Sequence, residues 1–347
     1  MNEDSIFVSS LVPLKLHNKI TSENIWINPC PSSSWFCRPI KFEFIKESQE
    51  IIEKEINQIH NEIQTLKPFQ INNISIEYAM ALTMVDNKIC NAITNTKSAM
   101  RCYICNASPT EMNNLDLVNS KPCTNKNYSF GLSSLHAWIR SLECLLHIAY
   151  NLPFKKWTAN TTEAKKIRQE RKEYIQEQFK EKTGLLIDFV KQGWGSSNDG
   201  NTARRFFSNP EISSQITGID IELIKKFHTI LQVISSPYAI DVDKFHAYTQ
   251  STAKYFVEHY GWYYMPVSIH KLLIHGTEII KHTLLPIGQL SEEAQETKHK
   301  DFKKFRNYNT RKISRIATNE DIFYRLLLTS DPHIFTIRLK SYKKKTK

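Results

Sequence analysis

His270-Lys271-Leu272-Leu273-Ile274-His275 sets two imidazoles five positions apart, and far upstream Cys102-Tyr103-Ile104-Cys105 sets two thiols three positions apart. Both spacings let two side chains reach one tetrahedral zinc ion, and together they make a complete Cys2His2 set. Thiolate and imidazole suit zinc better than calcium or magnesium. Four protein ligands also leave no open position, so such an ion would be structural and not catalytic. The plainer reading is that the cysteines are buried thiols and the histidines helix residues with ordinary partners. Two half-motifs roughly 165 residues apart leave both readings open on spacing alone. If they are joined, the site ties the N-terminal third of the chain to its C-terminal helices.

Working outward from these motifs, the hydrophobic period changes twice before the cysteines. Ile40, Phe42 and Phe44 alternate with Lys41 and Glu43, which predicts a strand with one buried face over 39–45. Ile52, Ile56, Ile59, Ile63 and Leu66 then recur every four or three residues, which predicts an amphipathic helix over 46–66 that ends at Pro68. From Ile74 to Met84 the alternation returns and finishes at Asp86, so a carboxylate is expected at a strand end. Downstream the chain reads as mainly helical, with helices near 132–150, 162–182, 219–235, 242–259, 267–281 and 291–317. Between the halves, 106–128 is rich in Asn, Ser, Thr and Lys and reads as a linker or long surface loop. No internal repeat interrupts this order.

The 347 residues, 41% hydrophobic and 23% charged, are enough for a real core in one large domain or two ordinary ones. No run approaches the roughly 18 apolar residues of a membrane helix, so no membrane partner is expected. Glu3 and Asp4 and the lack of a continuous apolar run argue against a secretory signal. Seven unevenly spaced cysteines suit metal binding and buried thiols in a reducing compartment better than a disulfide framework. The charge is localised: residues 298–347 hold 15 Lys/Arg against 4 Asp/Glu and so account for the whole formal excess of +11. Interleaved with Phe302, Phe305, Tyr308 and Tyr324, that segment suits contact with nucleic-acid phosphates. For 343–347 a solvated tail is the better reading.

Three further stretches carry candidate chemistry. Ser291-Glu292-Glu293-Ala294-Gln295-Glu296 opens a helix, with Ser291 as the expected N-cap and carboxylates in the favourable first turns. Lys300 follows Glu296 at i+4, a pairing that usually marks a solvated helix face. Asp86 has its own local explanation, since an aspartate at a strand end commonly caps a turn. In Asp199-Gly200-Asn201-Thr202-Ala203-Arg204-Arg205, backbone amides and two guanidinium groups together can hold phosphate. The stretch is too glycine-poor for a nucleotide loop and lacks the Lys-Ser/Thr of a P-loop.

These stretches, taken in order, resemble the catalytic core of Transib-type DNA transposases and of the catalytic subunit of the V(D)J recombinase. The similarity runs through His270 to Ile280, Ile287-Gly288, Ser291-Glu292-Glu293 and the Glu-x3-Lys-x-Phe-x2-Phe-Arg pattern from Glu296 through Lys300, Phe302 and Phe305 to Arg306. Upstream it takes in Val85-Asp86-Asn87-Lys88, Leu135-His136-Ala137-Trp138-Ile139-Arg140 and Gly200-Asn201-Thr202-Ala203-Arg204-Arg205. The resemblance implies that Cys102, Cys105, His270 and His275 bind zinc. It also implies that Asp86 and Glu296 are two of the three carboxylates of an Asp-Asp-Glu nuclease using Mg2+ or Mn2+.

The implied fold is α+β: an incomplete ribonuclease-H-like domain over 1–105, a linker over 106–130, a large helical insertion over 131–265 and a zinc-bridged helical region over 266–342. Arg204, Arg205, Lys300, Lys303, Lys304 and Arg306 become the expected DNA contacts. In the complete enzymes three carboxylates hold two metal ions about 3.5–4 Å apart for nicking and strand transfer. Here the match begins after the first catalytic Asp, near Asn2-Glu3-Asp4-Ser5. Little or no cleavage by the chain alone is therefore expected, and an uncovered sheet edge should favour aggregation. The resemblance further implies DNA as partner, a homodimer, an accessory subunit and a nuclear location. The alternative is a non-catalytic, zinc-stabilised DNA-binding protein derived from a transposase.

Overall fold

The computed structural model describes residues 6–191, 195–334 and 336–337. Asn2-Glu3-Asp4-Ser5 and the basic run at 343–347 lie outside the described residues. The chain divides into two units: Met1–Ile93 together with Gln289–Lys347, and Thr94–Gly288. It is an α+β protein, dominated by helices with small sheets.

The first unit opens with β1 (Phe7–Leu11), β2 (Lys15–His17), β3 (Asn24–Ile27) and β4 (Arg38–Glu43). Strand β1 pairs antiparallel with β4, setting Val8 opposite Phe42, and β2 pairs with β3. The strand expected around Ile40 and Phe42 is thus present, and so is the helix after it, α1 (Gln49–Thr65), capped by Ser48, whose side chain accepts from the Ile51 N–H. Its apolar stripe is covered mainly at the N-terminal end, where Ile52 is buried. Beside Ile52 lies the buried Glu55, whose carboxylate accepts from Ser9 Oγ at 2.6 Å and Lys41 Nζ at 2.8 Å. Both partners come from the β1–β4 pair, so a polar pin adds to the hydrophobic attachment of α1.

Two expectations need correction. The alternation from Ile74 does not run as one strand to Asp86: only β6 (Ile74–Ile76) forms, paired in a hairpin with β5 (Phe69–Ile71), and the backbone is irregular from there to α2 (Asn87–Ile93). Asn72 and Asn73 take φ values of 46° and 65°. Asparagine tolerates two consecutive left-handed residues, which a tight hairpin turn of the primed type requires, so this pair makes the turn that joins β5 to β6. The second correction concerns 291–317, expected as one helix. It ends as α12 (Glu293–Tyr308), and a new helix, α13 (Arg315–Thr329), begins after a turn. There Ser314 caps α13 and the Arg311 guanidinium pairs with Asp321 at 2.9 Å. The return lets Phe302 of α12 pack with Ile322 and Leu326 of α13, and Phe42, Phe44, Phe305 and Ile6 complete that core.

The second unit is helical apart from a short hairpin of β7 (Val190–Lys191) and β8 (Gly195–Ser196). The stretch at 106–128, expected as a linker or long surface loop, is largely irregular but contains α3 (Leu115–Ser120), capped by Asn114, and the start of a 3-10 turn at Asn125–Phe130. Next come α4 (Ser134–Asn151), α5 (Thr162–Thr183), α6 (Gly200–Phe207), α7 (Pro210–Thr217), α8 (Ile221–Ile234) and α9 (Val242–Tyr260). Helix α4 is buried on nearly every face, through Leu135, Trp138, Leu142, Leu145 and Ile148 among others, as befits a central helix that others pack around. At the start of α6 a Cβ on Gly200 would sit 2.6 Å from Leu135 Cδ1, so a larger residue there would have to displace the end of that side chain where α6 meets α4. The unit closes with α10 (Val267–His270), a π-helical turn at Lys271–His275 and α11 (Gly276–Lys281). Among the described residues no helix is long and apolar enough to cross a membrane.

Candidate metal centre

The two half-motifs meet in the second unit. One potential ligand atom from each of Cys102, Cys105, His270 and His275 lies within 4.8 Å of all the others. All four residues are buried, with relative exposures of 0%, 4%, 0% and 3%. Cys105 Sγ stands 3.3 Å from His270 Nε2, and the two imidazole rings meet edge to face with centroids 4.9 Å apart at 82°.

Local structure explains why a pair of histidines five positions apart can share a site. In an α-helix of 3.6 residues per turn, positions i and i+5 diverge by about 140° around the axis. Between His270 and His275 the helix widens into a π-turn. Its i→i+5 pattern brings the fifth residue back towards the face of the first. Lys271, inside this turn, is buried and places its ammonium 4.5 Å from the centroid of the Tyr103 ring, so the histidine turn packs on the side chain between the two cysteines.

On the cysteine side, Asn106 N–H donates to Cys102 O at 2.8 Å and Cys102 N–H to Ala107 O at 3.1 Å, closing a tight loop around the thiols. Asn106 carries the left-handed φ of 56° that the loop needs. Two more asparagines fasten it. Asn127 Nδ2 donates to Tyr103 O at 2.7 Å. The Asn113 amide donates to Gly261 O and Tyr263 O at 3.0 and 2.9 Å and accepts from Met265 N–H at 3.0 Å. A single side chain therefore joins the cysteine loop to the segment that leads into α10.

The electrostatics of the set favour a cation. Cys105, with help from His270 and His275, holds the Cys102 thiol well below the ordinary range, whereas Cys105 is pushed up by Cys102 and by burial. Burial pulls both histidines down, and His270 stays low. For His275 the Cys102 and Cys123 thiols more than offset burial, and its pKa is pushed up to about 9. Two buried ring nitrogens, His270 Nδ1 and His275 Nε2, find no hydrogen-bond partner among the described residues. Buried polar atoms left without a partner are costly. Two thiols and two imidazoles with ligand atoms within 4.8 Å of one another form a donor set that fits a borderline-soft cation such as zinc.

Sequence spacing gave no sign of Cys123. Its thiol lies beside His275 and Tyr128, brought there by Thr124 N–H donating to Ile104 O at 3.0 Å. Nor did it point to Asn113, Asn127 or the π-turn. Their roles depend on backbone atoms 24 residues away for Asn127 and about 150 away for Asn113, or on a local helix defect, none of which leaves a residue pattern.

The other candidates are not drawn into this centre. Asp86, expected at a strand end, stands half-buried just before α2, where its carboxylate accepts from the Ile89 N–H at 2.8 Å. Glu296 is exposed in the first turn of α12. Among the described residues the only set of three or more His, Cys, Asp or Glu side chains able to hold one metal ion is the Cys2His2 cluster, which includes neither. Of the basic candidates, Lys300, Lys303 and Lys304 are exposed on α12, and Arg306 lies over the Phe44 ring at 5.2 Å. On α6, Arg204 stacks over Trp138 at 5.9 Å and Arg205 donates to Thr183 O at 2.7 Å, so both contribute to packing as well as to surface charge. The sequence matches no model of a known protein family and no curated protein.

Proposed function

We propose that this chain is a DNA-binding protein derived from a Transib-type transposase, with a structural zinc ion held by Cys102, Cys105, His270 and His275. The observation that supports it is the meeting of two ligand pairs 165 residues apart in one buried cluster. Coincident burial of ordinary thiols and histidines does not require four donors to converge. The transposase resemblance is the reading that links this pairing to the rest of the sequence. Zinc supplies charge compensation and a cross-link at that point, and the chain's own residues supply the donors.

The same proposal assigns DNA contact to Arg204, Arg205, Lys300, Lys303, Lys304 and Arg306. It reads the β4–α1 region as part of a ribonuclease-H-like domain, and it places the protein in the nucleus as a homodimer on DNA ends, with or without an accessory subunit. The catalytic roles of Asp86 and Glu296, and of Mg2+ or Mn2+, rest on the resemblance alone. Because Asp86 is engaged as a helix cap and Glu296 is exposed, a non-catalytic DNA-binding protein is the second reading.

Metal analysis of the purified chain beside Cys102→Ser and His270→Ala tests the first step. One zinc per chain, lost in both variants, supports the reading, whereas a folded chain free of zinc rejects it. Incubation with DNA in Mg2+ or Mn2+ then separates the two readings: strand cleavage abolished by Glu296→Gln favours the nuclease, and binding without cleavage favours the non-catalytic protein.

A further inference from the structure

Away from the metal cluster, the second unit contains a cleft of about 440 Å3 between α4 and α5, lined by His147 and Tyr150 from α4 and by Lys165, Arg168 and Lys172 from α5, with Asp188 at one end. Lys165, Arg168 and Lys172 recur at intervals of three and four, so they form one stripe along α5. The single acid is already committed. Asp188 accepts from Lys172 Nζ at 2.7 Å and from Tyr150 Oη at 3.4 Å. Its backbone sits at a left-handed φ of 55°. Asn198 Oδ1, which accepts its N–H at 2.8 Å, and Gln176 Nε2, which donates to its carbonyl at 2.9 Å, hold it there. Such over-determined placement of a strained residue fixes the orientation of Lys172.

Lys165 and Arg168 have no acidic partner within ion-pair distance among the described residues. Two uncompensated cations thus share a concave site whose walls are protein, an arrangement that concentrates positive potential. His147 adds a ring kept neutral by burial and by the Arg168 guanidinium, so it offers one N–H without a further charge. A planar guanidinium fork, two ammonium groups and an imidazole N–H are the donor set of a phosphate site, because they offer several directed donors to tetrahedrally arranged oxygens. The volume lies within the range of small-ligand pockets, while the polar lining disfavours an apolar ligand.

We propose that the α4–α5 cleft binds a phosphate group through Lys165, Arg168 and Lys172, with His147 as a further donor at the wall. A phosphate of a DNA backbone and a free phosphate present the same oxygens, and the test distinguishes them. The inference stands apart from the zinc and nuclease readings, since none of its residues belongs to either.

The experiment compares the full chain with Lys165→Gln/Arg168→Gln in two titrations: fluorescence anisotropy of a labelled DNA duplex over a series of NaCl concentrations, and calorimetry with inorganic pyrophosphate. Lys166→Gln, which changes a neighbour outside the cleft, controls for net charge, and Arg168→Lys tests rescue by charge alone. If the cleft takes DNA phosphates, the double variant binds DNA more weakly with a log K–log[salt] slope shallower by about 1.8, roughly 0.9 per lost contact, while Lys166→Gln leaves the slope near wild type. If it takes a free phosphate, DNA binding is unchanged and pyrophosphate affinity falls at least about tenfold, with partial rescue in Arg168→Lys. Wild-type behaviour of the double variant in both titrations, or a wild-type chain that binds neither probe, overturns the proposal. Pyrophosphate binding by a chain that ignores DNA would reject the DNA reading and leave the cleft standing. Zinc content and far-UV circular dichroism check folding, and if the double variant fails them, Arg168→Gln alone gives the same reading with half the slope change.

Discussion

The Cys2His2 cluster and the two acidic candidates, Asp86 and Glu296, rest on the same sequence resemblance but differ in what surrounds them. The four cluster residues are almost wholly shielded from solvent and face one another. Buried donors of this kind need a common partner, because leaving them unsatisfied costs free energy. Asp86 and Glu296 have sufficient local reasons to exist: one caps α2, and the other sits in the favourable first turn of α12. Burial of four converging donors therefore makes a functional claim testable by physics, while a sufficient local role leaves a carboxylate compatible with an ordinary helix.

The largest effect should come from removing the metal. Chelation, or His270→Ala, is expected to lower the melting temperature by about 10 °C or more, since structural zinc contributes many kcal/mol in small zinc folds. Thermal melts with and without chelator check this, and an unchanged melt would place the cluster beside Asp86 as a feature without energetic consequence.

A cavity in the other unit comes next. Phe302→Ala removes a ring that contacts Phe42 at 5.5 Å and should cost about 3–5 kcal/mol in denaturant unfolding. It is expected to leave zinc stoichiometry at the wild-type value, which would show that the metal centre depends on its own unit. Smaller still, Asp86→Ala should cost about 1 kcal/mol as the loss of a cap, and Glu296→Gln should stay within about 0.5 kcal/mol. A marked loss of stability in Glu296→Gln would contradict its exposed placement.

The smallest effect sharpens the account of the cysteine loop. Glu111 accepts from Ser108 N–H and Ser108 Oγ at 2.7 Å and pairs with Lys121 at 2.8 Å; these contacts, Lys121 foremost, hold its pKa down to about 2. A carboxylate depressed in the folded state stabilises above its unfolded pKa, near 4.3, and loses that contribution as pH falls towards 2. The melting-temperature difference between wild type and Glu111→Gln should accordingly be constant above about pH 5 and shrink towards zero near pH 2. A difference independent of pH would remove the ion pair from the explanation.

Legibility varied with the range of the interaction. The β4 strand and α1 could be read because alternation and the Ile52–Ile63 stripe are local patterns, although of the stripe only Ile52 is fully buried and Ile40 stays exposed. The run from Ile74 to Met84 ends as a strand at Ile76, because alternation does not say how far a pairing partner extends, and β5 offers only Phe69–Ile71. The break after Tyr308 was missed because the basic, amphipathic pattern continues past it, while the Arg311–Asp321 pair that stabilises the turn joins residues ten positions apart. Buried Glu55 was unreadable for a similar reason: its partners Ser9 and Lys41 lie on separate strands.

By itself the sequence determined the donor chemistry: two thiols and two imidazoles at chelating intervals, a concentrated basic C-terminal segment, and helices whose apolar residues recur with the helical period. Ligand type and short-range period are properties of residues and their immediate neighbours, so they survive without a fold. Only the tertiary structure decided that the two pairs share one pocket, that a π-turn aligns the histidines, and that Asn113 ties the loop of one pair to the approach of the other. It alone also set the stripe of α5 against α4 to form a cationic cleft. The reason is that these features are contacts between distant segments, fixed by which apolar faces pack together and by which buried polar atoms must then find partners.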